Sequence, residues 1–297
     1  MGFICIIVAL AFVSHRDLEL YMTVFDFYLK SISSIPFEPT DQILVVCGGE
    51  LDKKILQTAG LKNVTITNLS EHDAANNYSN YRWEKQDAEY LNYQNKSFDW
   101  TIVHAGLHHC MSPHKAICEM LRVSRKGIVC IESRDSIILR ILKSAGFVSS
   151  YEIEAVFLTN GKYGGLRGGE IPNYVYRWTE AEVKKTVRSA EPHYLHDFKF
   201  LYDWRIPTRR FSSSRNIFKK CLSVIGPLFE PVLKLVLKRQ GNCFAFIITN
   251  TGKLQPWIKA KSDSFMLDMD YAGRLYDGKK FHAEYAKYEK EVAKSPE

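Results

Sequence analysis

The first half of the chain alternates short apolar runs with segments of helical periodicity. Residues 42–47 (QILVVC) are β-branched and apolar, which predicts a buried strand, and residues 51–60 carry apolar positions at helical spacing. Similar patterns predict strands at 64–67, 98–104 and 127–132 and helices at 113–124 and 136–146. Strands and helices alternating at this spacing indicate βαβ units, and therefore a parallel sheet with helices on both faces.

The second half is less regular. A glycine-rich segment at 160–173 with aromatic neighbours is typical of a long functional loop. Thr179 begins a capping box that predicts a helix to about residue 189. The remaining patterns predict strands at 196–204 and 243–250 and a basic, apolar helical stretch at 215–239, interrupted at Gly226-Pro227.

One enlarged domain accounts for this order of elements. We predict a domain over 41–258, with a lid at about 150–178 and a basic helical insertion at about 205–240. Residues 1–40 are predicted to form an N-terminal apolar helix and lead-in, and 259–297 a polar tail. The apolar run at 2–13 also resembles a signal peptide or membrane anchor, although no Lys or Arg precedes it.

Charge and cysteine content narrow the class of protein. The 297 residues include 40 Lys and Arg and 33 Asp and Glu, which gives a net charge of +7. The 7 cysteines form no C-x-x-C motif, so we expect reduced thiols and a cytoplasmic protein. Many of the Lys and Arg residues lie in the segment 205–239, interspersed with apolar residues. This segment either packs on the sheet with its charges solvated, or it contacts an anionic membrane surface. No nucleic-acid-binding motif accompanies the charge.

Polar residues and glycines follow each predicted strand. In an open parallel sheet, ligands bind at the carboxyl ends of the strands, so these residues are the candidate site. They are Cys47, Gly48 and Gly49 after the first strand, Asn68 after the second, Asp87 and Ala88 before the third, His104, His108 and His109 at and after its end, and Glu132 at the end of the fourth.

Part of this pattern resembles the class I S-adenosylmethionine-dependent methyltransferases that act on small molecules and glycans. The resemblance rests on Phe98-Asp99, Leu107-His108-His109, Glu119 to Val123 and Lys126-Gly127, with Asp87-Ala88 similar to the family's adenine-contacting acid. It implies a Rossmann-like α/β fold: a doubly wound, mostly parallel seven-stranded sheet with an antiparallel last strand. It also implies S-adenosylmethionine as cofactor. The implied cofactor contacts are Cys47, Gly48, Gly49, Asn68, Asp87, Ala88 and His104.

The implied reaction is methyl transfer to a hydroxyl of a small molecule or of a glycan sugar. A hydroxyl acceptor must lose its proton, so His108, His109 and Glu132 are the candidate catalytic residues; alternatively, the histidine pair packs beneath the cofactor. The predicted lid supplies aromatic and Arg side chains suited to a sugar: Tyr163, Arg167, Tyr174, Tyr176 and Arg177. We expect no metal ion, because neighbouring strand residues point to opposite faces and no usual ligand spacing occurs.

Two other functions stay open. The family's glycine loop usually has an acid where Val46 stands and a glycine where Glu50 stands, and an acid where the second strand ends at Asn68. These substitutions are compatible with a catalytically silent binding or scaffold subunit. An NAD-dependent oxidoreductase is a weaker alternative, because the G-x-G-x-x-G turn is absent.

Overall fold

The computed structural model describes residues 15–69, 81–262 and 264–292. The apolar run predicted at 2–13 lies outside these residues. Among the described helices, none combines the length and the apolar character needed to cross a bilayer.

A seven-stranded sheet forms the centre of the protein. Its strands are β1 (Ile43–Val46), β2 (Val64–Asn68), β3 (Arg82–Lys85), β4 (Phe98–His104), β5 (Ser124–Ser133), β6 (Tyr194–Asp203) and β7 (Cys243–Leu254). The order across the sheet is β3-β2-β1-β4-β5-β7-β6. The pairs from β3 to β5 are parallel, whereas β7 runs antiparallel to β5. The fold class predicted from the sequence is confirmed.

Helices cover both faces of this sheet. They are α1 (His15–Ser33), α2 (Glu50–Thr58), α3 (Pro113–Val123), α4 (Ile137–Ser144), α5 (Ile153–Leu158), α6 (Glu180–Ala190), α7 (Thr208–Ser212) and α8 (Ile217–Val236). On one face, α1 and α2 pack on β-strand residues such as Val45 and Ile102. On the other face, α3 and α6 pack on residues such as Leu44 and Val103. Successive strand residues therefore enter two separate cores, as the period of a strand requires.

The helix starts follow their capping residues. Ser112 accepts a hydrogen bond from the backbone N–H of Lys115 before Pro113 opens α3. Thr179 accepts one from the N–H of Glu182 at the start of α6, as the capping box predicts. Ser136 caps α4 in the same way, accepting from the N–H of Leu139.

The predicted interruption at Gly226-Pro227 is wrong, because α8 continues from Ile217 to Val236. Gly226 is buried, and a Cβ atom there would lie 3.0 Å from Ile206 Cγ2. The Gly-Pro pair therefore marks a close approach of α8 to a neighbouring side chain rather than a break in the helix.

A second compact unit contains residues 191–196 and the described residues from 250 onward. Its elements are the hairpin β8 (Ile258–Lys261) and β9 (Ser264–Leu267) and the helices α9 (Met269–Leu275) and α10 (Gly278–Val292). Within the unit, the rings of His193 and Phe265 stack with centroids 4.3 Å apart. Local patterns predict only a polar tail over 259–297 and none of these elements.

Candidate active site

A cavity of about 300 Å³ opens at the carboxyl edge of the parallel strands. It lies in the position expected for a ligand in a sheet of this kind. Five segments supply its walls: the loops after β1, β2, β3 and β4, and the segment 163–168. The lining residues are Cys47, Asn68, Leu69, Gln86, Asp87, Ala88, Glu89, Ala105, Gly106, His109, Cys110, Tyr163, Gly164, Arg167 and Gly168.

Four of the predicted cofactor residues line this cavity: Cys47, Asn68, Asp87 and Ala88. The Asn68 amide donates to the carbonyl oxygen of Gly48 at 3.1 Å, which ties the end of β2 to the glycine loop. Asp87 accepts a hydrogen bond from Arg167 at 2.8 Å. The lining thus combines an amide, a carboxylate and small apolar side chains, a set that suits the ribose hydroxyls and adenine of a nucleoside cofactor.

The two glycines of the first loop shape the cavity without lining it. A Cβ atom at Gly48 would lie 2.7 Å from Ile66 Cγ2, so Gly48 is required for packing beneath the loop. Gly49 donates its N–H to the carboxylate of Asp52 at 2.8 Å and starts α2. The cavity-lining residues of the loops, Cys47 and Ala105, have positive φ angles of 53° and 48°. Such conformations are uncommon for residues other than glycine and concentrate at functional sites.

His104 faces the opposite side of the sheet from the cavity. Its ring stacks on Tyr28 of α1 with centroids 4.7 Å apart, and it borders a small cavity of about 110 Å³ with Phe27. The physical reason is strand alternation: Val103 enters the core on the cavity side, so His104 points to the α1 side. The structure therefore separates this predicted cofactor residue from the other members of its group.

The chain leaves β4 and forms a short 3₁₀ turn at Leu107–His109. His108 is buried, and its Nδ1 lies 2.8 Å from Oε2 of Glu132. The other carboxylate oxygen of Glu132 accepts the N–H of Leu107 at 2.8 Å. Burial lowers the pKa of His108, but Glu132 and Glu152 outweigh burial and raise it to about 10. His108 and Glu132 form a buried ion pair behind the cavity wall.

His109 is the candidate catalytic residue that lines the cavity. Its Nδ1 lies 3.1 Å from the carbonyl oxygen of Gly165, and its Nε2 lies 3.5 Å from Oε2 of Glu152. Burial and the neighbouring charge of His108 lower the pKa of His109, which keeps its imidazole neutral.

Glu152, which immediately precedes α5, is a site residue that the sequence analysis missed. Its Oε2 lies 3.2 Å from Nε2 of His108, and Asn173 donates to it at 3.3 Å. Burial raises the pKa of Glu152, but His108, His109 and Asn173 together lower it to about 2. No motif surrounds Glu152 in the sequence, and only the fold brings it to the histidines.

The predicted substrate residues fall into two groups. Tyr163 and Arg167 line the main cavity, and Arg167 pairs with Asp87 and, at 3.5 Å, with Glu89. A Cβ atom at Gly165 between them would lie 1.9 Å from the carbonyl oxygen of Ile171, which explains the glycine there.

Tyr174, Tyr176 and Arg177 line a separate surface cavity together with Asp135 and Arg140. In this group the Tyr176 hydroxyl donates to Glu182, and the Arg177 guanidinium donates to the carbonyl oxygen of Ser149 at 2.8 Å. The fold does not bring these three residues to the wall that Tyr163 and Arg167 occupy.

Residues 44–131 match a family model described as a methyltransferase domain. No curated protein sequence matches the chain. One chain of a Haloferax volcanii complex between a candidate methyltransferase and the Trm112 methyltransferase activator aligns with 80% of this chain and 94% of its own length, at 12% identity and a TM-score of 0.50.

Two further structures align with TM-scores of 0.47. A SAM-dependent methyltransferase from Thermotoga maritima is 14% identical, with 79% of this chain and 93% of its own covered. Magnesium protoporphyrin IX methyltransferase from Synechocystis, solved with bound S-adenosylhomocysteine, is 13% identical, with 80% and 89% covered. The match over residues 44–131 and the strand order with its antiparallel β7 show a methyltransferase domain of Rossmann-like α/β fold, with a cavity at its strand ends.

Proposed function

We propose that this enzyme transfers a methyl group to a hydroxyl of a small molecule or of a glycan sugar. S-adenosylmethionine supplies the methyl group on a positively charged sulfur. The observation that carries the proposal is the cavity itself, whose lining includes Asp87, Asn68, His109 and Tyr163. The proposal is supported by the amide, the carboxylate and the imidazole that surround this one space.

For the cofactor, we assign binding to Asn68, Asp87, Cys47 and Ala88, with Gly48 and Gly49 shaping the loop. Among these assigned cofactor residues, Asp87 and Asn68 have the side chains that can hydrogen-bond ribose hydroxyls. Asp87 is the charged one, so Asp87→Ala should weaken cofactor binding most. Calorimetry with S-adenosylmethionine and S-adenosylhomocysteine tests this assignment, with Asp197→Ala as a control because Asp197 is exposed on β6. Unchanged affinity in Asp87→Ala would contradict the assignment.

For the acceptor, we assign Tyr163 and Arg167 to the position beside the cofactor. An aromatic face stacks on a sugar ring and a guanidinium binds hydroxyls or anions, so the pair suits a sugar. Tyr174, Tyr176 and Arg177 lie along a second cavity and would reach only an extended acceptor such as a glycan. Tyr163→Ala should therefore raise KM for short and long acceptors, and Tyr174→Ala for long acceptors alone.

His109 is the group that we assign to the acceptor's proton. Its Nδ1 faces a carbonyl oxygen and therefore carries hydrogen, so Nε2 holds the lone pair. A positioned base contributes roughly 10²- to 10⁴-fold to the rate. His109→Ala should lower kcat in that range, whereas normal turnover would remove His109 from the mechanism. His108 and Glu132 act as positioning residues, because both are buried behind the wall.

A catalytically silent scaffold is the second candidate. The observation that favours it is the pairing of Arg167 with Asp87, which occupies the carboxylate that we assign to the cofactor. The calorimetric experiment separates the two functions, because a scaffold of this kind would release no heat with either nucleoside in folded protein.

We further propose that α8 rests on an anionic membrane surface. Its exposed apolar side chains follow a helical stripe and include Phe218 (70% exposed), Leu228 (76%) and Leu235 (85%). The segment 205–239 carries nine Lys and Arg residues and a single acid, Glu230. Apolar insertion combined with basic flanks is the chemistry of interfacial helices.

Vesicle sedimentation tests this surface. The full chain should bind vesicles that contain phosphatidylglycerol and should bind neutral phosphatidylcholine vesicles more weakly. Leu228→Ser with Leu235→Ser should abolish binding, whereas Leu275→Ser, an exposed leucine of α9, should not. Equal binding of all variants would refute a membrane contact through α8. The cytoplasmic location remains a prediction from the cysteine content.

A further inference from the structure

Three potential ligand atoms converge beside the cavity. One ring nitrogen each of His108 and His109 and a carboxylate oxygen of Glu152 all lie within 4.8 Å of one another. Oε2 of Glu152 is 3.2 Å from Nε2 of His108 and 3.5 Å from Nε2 of His109. The 3₁₀ turn brings the two rings side by side, with centroids 4.6 Å apart.

The other nitrogen of each ring is already bonded. Nδ1 of His108 lies 2.8 Å from the buried carboxylate of Glu132, and Nδ1 of His109 lies 3.1 Å from the carbonyl oxygen of Gly165. Histidines that bind metals almost always donate their second N–H to a carboxylate or to a backbone carbonyl. Both forms of this outer contact are present here, one on each ring.

Without a metal ion, the protonated ring of His108 faces Glu152 from its Nε2, 3.2 Å away, whereas His109 has no proton to offer the same carboxylate. A carbonyl oxygen only accepts, so Nδ1 of His109 carries a hydrogen and its neutral ring presents a lone pair at Nε2. That lone pair lies 3.5 Å from a carboxylate oxygen, which also only accepts. Two facing acceptors repel unless a proton or a metal ion lies between them.

The charges of the side chains in this cluster also favour a bound divalent cation. Glu132 and Glu152 are two carboxylates around two imidazoles, and the proton on His108 balances only one of their charges. A divalent ion bound by neutral His108 and His109 would cancel both charges. Asn173, itself buried, donates to Glu152 at 3.3 Å and to the carbonyl oxygen of His108 at 3.0 Å, so the carboxylate is also held in place.

We propose that Nε2 of His108, Nε2 of His109 and the carboxylate of Glu152 bind a divalent transition-metal ion, with Zn²⁺ the best fit. Two histidines and one carboxylate form a known ligand set for zinc with one open position. At bond lengths of roughly 2.0–2.2 Å, tetrahedral ligand atoms lie roughly 3.3–3.6 Å apart. The observed separations from Glu152, 3.2 and 3.5 Å, agree with that spacing.

Of the three ligand residues, His109 lines the cavity. The role of the ion, though not its binding, rests on the proposed function. An ion held beside the cavity would make a bound hydroxyl more acidic and so would favour loss of its proton to solvent. In the loaded protein the lone pair of His109 would bind the ion, and activation of the hydroxyl would then depend on the ion rather than on His109 as a base.

The test is metal titration of the full chain after removal of metals with a chelator. Calorimetry with Zn²⁺ should show one ion per chain. His109→Ala and the isosteric Glu152→Gln should each weaken binding at least about 100-fold, and Glu132→Gln about 10- to 100-fold. His282→Ala, a substitution of an exposed histidine in α10, is the matched control and should bind like the parent.

Cobalt distinguishes this site from the thiols Cys47 and Cys110, which line the same cavity. Bound Co²⁺ should show visible bands without a near-ultraviolet thiolate charge-transfer band. The proposal is overturned by a thiolate band, by the lack of stoichiometric binding, or by equal affinity in His109→Ala and Glu152→Gln once circular dichroism shows that both fold. Cofactor calorimetry is independent of this result, so failure of the metal site and failure of the proposed function are distinguishable.

Discussion

Two groups of histidine and carboxylate side chains lie near the end of β4, on opposite faces of the sheet. The inner cluster consists of Tyr28, Asp52 and His104. The Tyr28 hydroxyl donates to Asp52 at 2.8 Å, and His104 stacks on the Tyr28 ring. Burial raises the pKa of Asp52 and lowers that of His104, so both groups shift towards their neutral forms.

The cavity cluster consists of His108, His109, Glu132 and Glu152. Here the pKa of His108 is raised to about 10 and that of Glu152 is lowered to about 2, so this pair shifts towards its charged forms. Burial opposes charge in both clusters, but in the cavity cluster two carboxylates face one imidazole at hydrogen-bond distance. The number of opposed charges, rather than burial, therefore separates a cluster of neutral groups from a cluster of charged ones.

The pH dependence of stability should show the largest effect. Because the pKa of His108 in the folded protein (about 10) lies above its ordinary value, its stabilisation is complete below about pH 6.5 and is lost as pH rises towards 10. The loss is at most about 5 kcal/mol. Urea unfolding with EDTA at pH 6.5 and 9.5 measures it. His108→Gln should flatten the difference, and an equal fall in this variant would contradict the assignment.

Glu132→Gln should cost about 3 kcal/mol of unfolding free energy at pH 7. The substitution keeps an acceptor for the N–H of Leu107 but removes the charge from a buried pair, and breaking such pairs costs roughly 3–5 kcal/mol. Urea denaturation at pH 7 measures the change. A cost under about 1 kcal/mol would mean that the cavity cluster is no more charged than the inner cluster.

Arg167→Ala should tighten S-adenosylmethionine binding by about 5-fold. The guanidinium pairs with Asp87 and is 38% exposed, so releasing that carboxylate is worth at most about 1 kcal/mol. Calorimetry measures the affinity, and Arg274→Ala in α9 is the control. Weaker binding in Arg167→Ala would show that this side chain contacts the cofactor.

Asp52→Asn should have the smallest effect, a change below about 1 kcal/mol in unfolding free energy. The amide oxygen can still accept from Tyr28 or Gly49, and the loss of charge relieves the cost of burying a carboxylate. Thermal or urea unfolding compares it with Glu132→Gln. If both substitutions cost the same, the distinction between the two clusters fails.

Much of the fold followed from local patterns. The strand predicted at 98–104 matches β4, and the helix predicted at 113–124 matches α3 within one residue. Apolar runs and capping residues act over a few positions, so the strands and helices that they form can be predicted from the local sequence. Strand β3 was not predicted. It has no buried position, and Trp83 lies between the charged residues Arg82 and Glu84, so the segment contains no apolar run.

The cavity cluster could be predicted only in part. His108, His109 and Glu132 are predicted site residues because they lie at or just after the ends of strands. Strand alternation, however, predicts that the two neighbouring histidines point to opposite faces. The 3₁₀ turn at Leu107–His109 places both rings within 3.5 Å of Glu152 instead. Glu152 lies 43 positions beyond His109, and nothing in its local sequence distinguishes it from a surface acid.

The amino-acid sequence by itself determined the α/β class, the parallel order of the first strands and the residues at the strand ends, because periodicity and glycine placement are local properties. Only the tertiary structure decided which of those residues share a space. In the folded protein, His104 stacks on Tyr28 of α1, Arg167 pairs with Asp87, and Glu152 contacts His108. Contacts between distant segments depend on how the whole chain packs, and no short stretch of sequence encodes them.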